Sequence, residues 1–454
     1  MRSPMIDFSI ARGPLLFCLL MPAVASAATL TVGPGKTYAT PAAAAAVARD
    51  GDVIEISAGV YRNEAIWKAH GLTIRGVGEG RAHLDAAGLT LANRKAIWVI
   101  QGNGTTVENI EFSGASVPDK NGAGIRQEGS GLTVRNCYFH DNQNGVLAGD
   151  KADSDILIES SWFARNGAGD GQSHNMYINR VRSFTLRFSY SQGAKVGHLV
   201  KSRAYRTSIL YNRLTGEEGN PSYEIDLPNG GRVEVVGNLI QQGTAAENPA
   251  LLSFGAEEAT NPEQALFVIN NTFVNDRTAG GTFVRIVSSP TARIINNLFI
   301  GAGTPVSGTA TQVSNLVTDR AGLVDPARFD YHLKATSPAI NAGTDPGTDG
   351  TQSLAPQFQY VHPLGGEPRQ RLDGAWDVGA FEYGTPPSPS TDGGTPGVPG
   401  SPGEDGGTPV VPGSPGEDGG GPTPDAGCGC TTSGAASSTL ALLLLLALGR
   451  RRVV

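Results

Sequence analysis

Between residues 28 and 384 the apolar positions fall in short, β-branched bursts broken by Gly, Asn and Asp, with no long stripe at helical spacing. One phrase recurs: an apolar residue, a variable one, an Asn or small residue, then an aromatic or aliphatic residue two positions on. Its instances are TVENIEF, TVRNCYF, LIESSWF, ILYNRL, EVVGNLI, FVINNTF and ARIINNLF, with a weaker one at TLRFSYS. Aligning the Asn-or-small position gives Ile110, Cys137, Ser161, Ser189, Asn212, Asn238, Asn271 and Asn297, at intervals of 27, 24, 28, 23, 26, 33 and 26 residues. A period in that range means a solenoid, in which each repeat buries its apolar face only against its neighbours. Three short strands and three turns fit one coil of that length. The pattern therefore predicts stacked coils, parallel sheets, columns of inward side chains, and a hydrogen-bonded ladder at the repeated Asn position.

This all-β pattern resembles the right-handed parallel β-helix of the pectate-lyase-like superfamily over residues 29–300. The opening VGPGKTYATPAAAAAVARDGDVIEISAGVYRNE is similar to the start of that group, where a strand and a short amphipathic helix, here about 40–49, cap the first coil. The phrases SPAINAG at 337–343 and WDVGAFEY at 376–383 resemble the close of many exported bacterial β-helix proteins. The expectation is one domain, 28–384, of about eight to ten coils with an N-terminal helical cap, acting as a monomer.

Composition changes the picture at the ends. Gly and Pro together make 90 of 454 residues, about 20% against roughly 12% in average chains, which disfavours long helices. The N-terminus has Arg2 and Arg12, the run PLLFCLLMPAV and Ala25-Ser26-Ala27, the marks of a secretory signal peptide over 1–27. Residues 385–427 are Pro, Gly, Ser, Thr and Asp with little to bury, and read as an extended stalk. Gly427-Cys428-Gly429-Cys430 leads into the last segment, 428–454, which carries LALLLLLALG and three arginines. That ending resembles the C-terminal sorting signal of myxobacterial surface proteins. The resemblance implies processing by a sorting protease near Cys428 or Cys430 and anchoring at the cell surface, in the outer membrane through a lipid; an ordinary C-terminal membrane anchor is the alternative. A net charge of −7 argues against nucleic acid as a partner. Cys137 reads as an unpaired core cysteine.

A packed solenoid has no interior site, so chemistry has to lie on an outer face. Three segments stand out: SHNMYIN at 173–179, GHLVKSRA at 197–204 and SYEIDLP at 222–228. Aligning His174 with His198 sends both histidines, Met176, Val200, Ile178 and Ser202 inward. It sends Asn175, Tyr177, Asn179, Lys201, Arg203, Glu224 and Asp226 outward. Strands ~4.8 Å apart would then set a Lys–Arg pair between an aromatic and amide row and a double-carboxylate row.

Such a face suits an acidic polysaccharide. Uronate β-elimination needs a neutralised sugar carboxylate, a base for the C5 proton and an acid for the leaving oxygen. Arg203 suits the carboxylate clamp and Lys201 the base. Tyr177, His174 or His198 could donate to the leaving group, with Asn175, Asn179 and Tyr223 as sugar contacts. Glu224 and Asp226 could instead hold Ca²⁺, which takes oxygen ligands. Several β-helix polysaccharide lyases use a Lys/Arg pair, some with calcium, and the likeness extends to these residue types.

Three other readings stand beside this one. They are a hydrolase using Glu224 and Asp226, a non-catalytic glycan-binding module, and a structural surface protein in which the charges form a cross-strand ion-pair ladder. Loops 165–173 and 214–221 are expected as groove walls, with Glu257 and Glu258 extending an acidic subsite. Asp150, Asp153 and Asp155 read as solvated turn acids rather than a calcium loop.

Overall fold

The computed structural model describes residues 27–288, 290–372 and 374–384. The expected signal peptide (apart from Ala27), stalk and sorting signal with Cys428 and Cys430 lie outside them. From Thr29 to Thr318 the chain winds as a solenoid of parallel strands. One sheet has 21 strands and a second has 10. The larger is bent into two arms, because the long strands Val53–Tyr61 and Thr73–Asp85 run through both arms before the later coils split in two.

The split has a simple local cause. In each later coil a residue in the left-handed region separates the two short strands, as at Asn109, Asn136, Ser160, Phe188, Tyr211, Asn270 and Asn296 (φ 47–56°). Gly237 fills the same place at φ 66°. Asn is favoured there because it tolerates positive φ. The next residue in every case is the aligned Asn or small position. From Ser161 on, its side-chain oxygen accepts the backbone N–H of the coil before: Cys137 to Ser161, Ser161 to Ser189, Ser189 to Asn212, Asn212 to Asn238, Asn238 to Asn271 and Asn271 to Asn297, at 2.9–3.2 Å. The ladder runs one coil beyond the sequence alignment, to Asn315.

Inside the second arm Phe112, Phe139 and Phe163 stack at 4.9 and 4.8 Å, and the same column continues through Ser191, Leu214, Ile240, Phe273 and Phe299. Cys137 is fully buried, and burial pushes its thiol up to about 12. The N-terminal helix is shorter than expected, Pro41–Ala45, with the Thr40 hydroxyl accepting from Ala43 N. Its buried Ala44 joins the core of the first coils.

The coils do not continue to 384. Beyond Thr318 come two antiparallel pairs, Leu323–Asp325 with Asp330–Leu333 and Phe358–Val361 with Gly365–Pro368. They fold back on the solenoid. Leu239, Val274, Leu298 and Ile300 point out of the second arm and are buried under Tyr331, Leu333, Val378 and Phe381. The two closing phrases of the sequence meet, Val378 N on Ala339 O and Gly343 N on Trp376 O. An Arg369–Glu382 pair is sealed beside them, 2.7 Å apart with 0% and 2% side-chain exposure.

Candidate active site

The 10-stranded sheet carries the polar constellation. Tyr177, Lys201 and Asp226 are in register on strands Met176–Ile178, Val200–Ser202 and Ile225–Leu227, and all three face outward. Arg203 follows directly, its N–H bound to Ile178 O. Lys201 Nζ lies 3.0 Å from Asp226 Oδ2 and 3.3 Å from Glu257 Oε1. Arg203 reaches Glu257 Oε2 through Nη2 at 2.5 Å, Asn229 Oδ1 through Nη1 at 2.5 Å, and the Tyr177 hydroxyl through Nε at 2.9 Å. Both cationic groups lie 5.8 Å from the centre of the Tyr177 ring. Burial lowers the Arg203 guanidinium, but Glu257 and Tyr177 leave it raised overall. Burial alone would raise Glu257, and Arg203 and Lys201 hold it below the usual carboxylate range.

The histidines belong to this outer cluster, which corrects the inward parity expected for them. Both precede the regular strand, where strict alternation no longer applies. Their rings stack 4.6 Å apart, His174 meets the edge of Tyr177, and His198 Nε2 lies 3.4 Å from Asp226 Oδ2. His198 N donates to His174 Nδ1, and Tyr223 N donates to His198 Nδ1. Each ring therefore carries its proton on Nε2 when neutral. Burial, with Lys201 adding to it, takes His174 down to about 3. Burial and His174 put His198 well below its ordinary value. At neutral pH His198 is uncharged beside Asp226, whose carboxyl burial raises against the pull of Lys201.

Two expected outward residues are inside the coil. Asn175 is fully buried; its oxygen accepts from Asn166 N, and its amide donates to Ser191 Oγ and Gln192 O. It closes a second amide ladder, through Asn142 and Asn166, and touches no solvent. Glu224 lies one position before the strand, level with the core residues Leu199 and Leu251. Its carboxyl is buried beside Gln242 Nε2 at 3.4 Å, and burial raises it well above the carboxylate range. Glu224 and Asp226 are thus divided by the sheet. They do not converge as a Ca²⁺ cradle or as a hydrolytic acid–base pair.

Asn179 is half-buried, and its side-chain oxygen accepts from Arg180 N. Tyr223 is half-buried with its ring 5.2 Å from that of His198, at the rim of the cluster. The anticipated walls differ as well. Asp170 caps its own loop at Gln172 N and Ser173 N, while Glu217 binds Tyr190, Arg213 and Thr215 on the second arm. The nearest loop to the cations is the one holding Glu257. Asn229, buried and bound to Arg203, had no distinguishing signal in the sequence. Asp150, Asp153 and Asp155 have separate partners, namely Arg180, Ser130, and Arg182 with Ser183.

Parallel coils, an αL turn in each later coil and an internal amide ladder are those of a right-handed parallel β-helix. The family model described as "Right handed beta helix region" matches residues 42–240. The crystal structure of pectate lyase Pel9A is similar with 15% identity and a TM-score of 0.54, covering 79% of this chain and 97% of that one. A rhamnogalacturonan lyase is 11% identical with a TM-score of 0.46, covering 65% and 90% of the two chains. A PL6 family alginate lyase is 15% identical with a TM-score of 0.35, covering 70% and 39%. The likeness to Pel9A, at 15% identity, is one of fold alone. No curated protein matches the chain.

Proposed function

We propose that this chain is an exported, surface-anchored enzyme that cleaves a uronic-acid polysaccharide by β-elimination, with Lys201 and Arg203 at its centre. The observation that carries this reading is the seat of Glu257. Its two oxygens bridge the Lys201 and Arg203 cations. A sugar carboxylate entering from solvent would find the same two-cation receptor on displacing this half-exposed side chain. Arg203 Nε–H donates to the Tyr177 oxygen, which leaves the phenol proton free for the departing glycosidic oxygen. Lys201, once it yields a proton to Asp226 or solvent, is the amine placed to take the C5 proton. His198 and His174, neutral and stacked, orient Asp226 from behind. The β-helix fold hosts other chemistries, so the assignment rests on these side chains.

A second reading has its own observation. Lys201 and Arg203 are already satisfied by protein carboxylates, and Lys201 is only 8% exposed, as expected of a glycan-binding or structural face. Pectate, alginate and glycosaminoglycans, each assayed with calcium and with chelator, separate the two through the ultraviolet absorbance of unsaturated product. Product formed by the native chain and lost in Lys201→Ala/Arg203→Ala supports the lyase. Binding without product, retained by that variant, overturns it. Export and anchoring are tested by cell fractionation of the native chain against a Cys428→Ser/Cys430→Ser variant.

A further inference from the structure

On the outer face of the second arm, three successive coils each present one side chain with metal-binding chemistry. His83 lies on Thr73–Asp85, Glu111 on Ile110–Ser113 and His140 on Tyr138–His140. The register sets His83 beside Glu111, and His140 beside Ser113 two residues further along. One ligand atom from each of the three lies within 4.8 Å of the others, and each residue is half-buried, open to an ion from solvent. Glu111 Oε1 is 3.0 Å from His140 Nε2 and 3.7 Å from His83 Nε2. Ligand atoms around a tetrahedral zinc stand roughly 3.4 Å apart, given metal–ligand distances of about 2.0–2.2 Å. The two measured edges bracket that spacing.

The surroundings hold one ring in the orientation a metal requires. His140 Nδ1 meets Asp141 Oδ2 at 2.8 Å, so Nδ1 keeps its proton and Nε2, facing Glu111, is the atom presented to a metal. Asp141 is fixed in turn by Arg165 at 2.7 Å and Lys195 at 3.4 Å. Tyr138 stacks on the His140 ring at 4.4 Å. Ser113 Oγ lies 2.7 Å from His83 Nε2 and completes the rim. Arg81, whose charge also acts on Glu111, is tied to Asn136 through Nε and Nη2.

We propose that His83, Glu111 and His140 bind a divalent transition ion of the zinc class, as two imidazoles and a carboxylate favour. The ion takes the place of the proton shared by His140 Nε2 and Glu111, ties three coils together, and leaves a fourth position for water or an oxygen ligand. This face is distinct from the one carrying Lys201, so the proposal does not depend on lyase activity.

The test is calorimetric titration of Zn²⁺ into the full chain, in a Cys428→Ser/Cys430→Ser background that removes the paired thiols. One bound equivalent is expected, with affinity falling at least ~100-fold in His83→Ala and in His140→Ala, and about 10–100-fold in the positioning variant Asp141→Asn. Zn²⁺ should also raise the melting temperature of the parent and leave that of His140→Ala unmoved. Glu111→Gln, nearly isosteric, serves as the ligand variant if a histidine variant fails to fold. No bound equivalent in the parent overturns the site, as does undiminished binding by a folded His83→Ala/His140→Ala double variant.

Discussion

Glu257 and Glu224 show how one residue type takes opposite roles on one scaffold. Glu257 is half-exposed and lies between two cations, so its removal should open the carboxylate seat. Glu257→Gln is expected to lower KM for a uronate polymer several-fold, whereas Lys201→Ala should lower kcat by about 10²–10⁴, the usual worth of a general base. Steady-state kinetics check both. Glu224 is sealed in the coil with its carboxyl raised by burial. The folded state then holds a proton that the unfolded chain loses above about pH 4.3, so stability is whole below that value and declines as pH rises. Glu224→Gln keeps the shape without the proton. It should melt higher than the parent at pH 8, with the difference closing toward pH 4. His174 works in the other direction. Its value near 3 lies below the unfolded ~6.5, so its contribution is present above that pH and lost as pH falls. Denaturant unfolding between those pH values should show a proton-linked slope that loses about one proton in His174→Gln.

At the scale of elements, the ladder is legible in the sequence because Ser or Asn recurs at the same place in coil after coil from Ser161 on, and a repeat averages out local exceptions. Each amide serves several backbone groups. Asn238, for instance, accepts from Asn212 N and Nδ2 and donates to Ile209 O, Val236 O and Asn271 Oδ1. Asn238→Ala strands those groups in the core, and an unfolding midpoint should show a loss of at least about 1–3 kcal/mol. Cys137 stands in the same place, with Sγ 3.2 Å from Arg135 O, much as the Ser161 hydroxyl meets Glu159 O. Cys137→Ser should be tolerated within about 1 kcal/mol on the same assay. The candidate site was less legible. Tyr177, Lys201 and Asp226 were placed correctly because they sit within regular strands. His174, Asn175, His198 and Glu224 were misplaced because they lie just before their strands, where the chain is turning and parity no longer fixes direction.

At the scale of the molecule, the sequence pattern showed the coils but not where they stop. Leu239, Val274, Leu298 and Ile300 break the alternation, since the segment beyond Thr318 buries their outer side, and a two-sided strand is hard to tell from a continuous apolar run. Removing residues 320–384 should expose that patch and leave a chain that binds ANS and associates, as light scattering would show. Arg369→Ala should cost about 3–5 kcal/mol by leaving Glu382 buried without its partner. The amide ladder has a further consequence for how such a protein changes. Its rungs are joined by bonds of nearly one length, although the chain between them is 18 residues in one coil and 33 in another. The ladder fixes where each turn must return and leaves free how far the chain wanders in between. Insertions are therefore absorbed away from the rungs, and new chemistry can arise in one coil without disturbing the next. The 33-residue excursion between Asn238 and Asn271 is the one that delivers Glu257 to Lys201 and Arg203. A coil longer than its neighbours can thus reach across the stack and complete a cluster that the regular strands only begin.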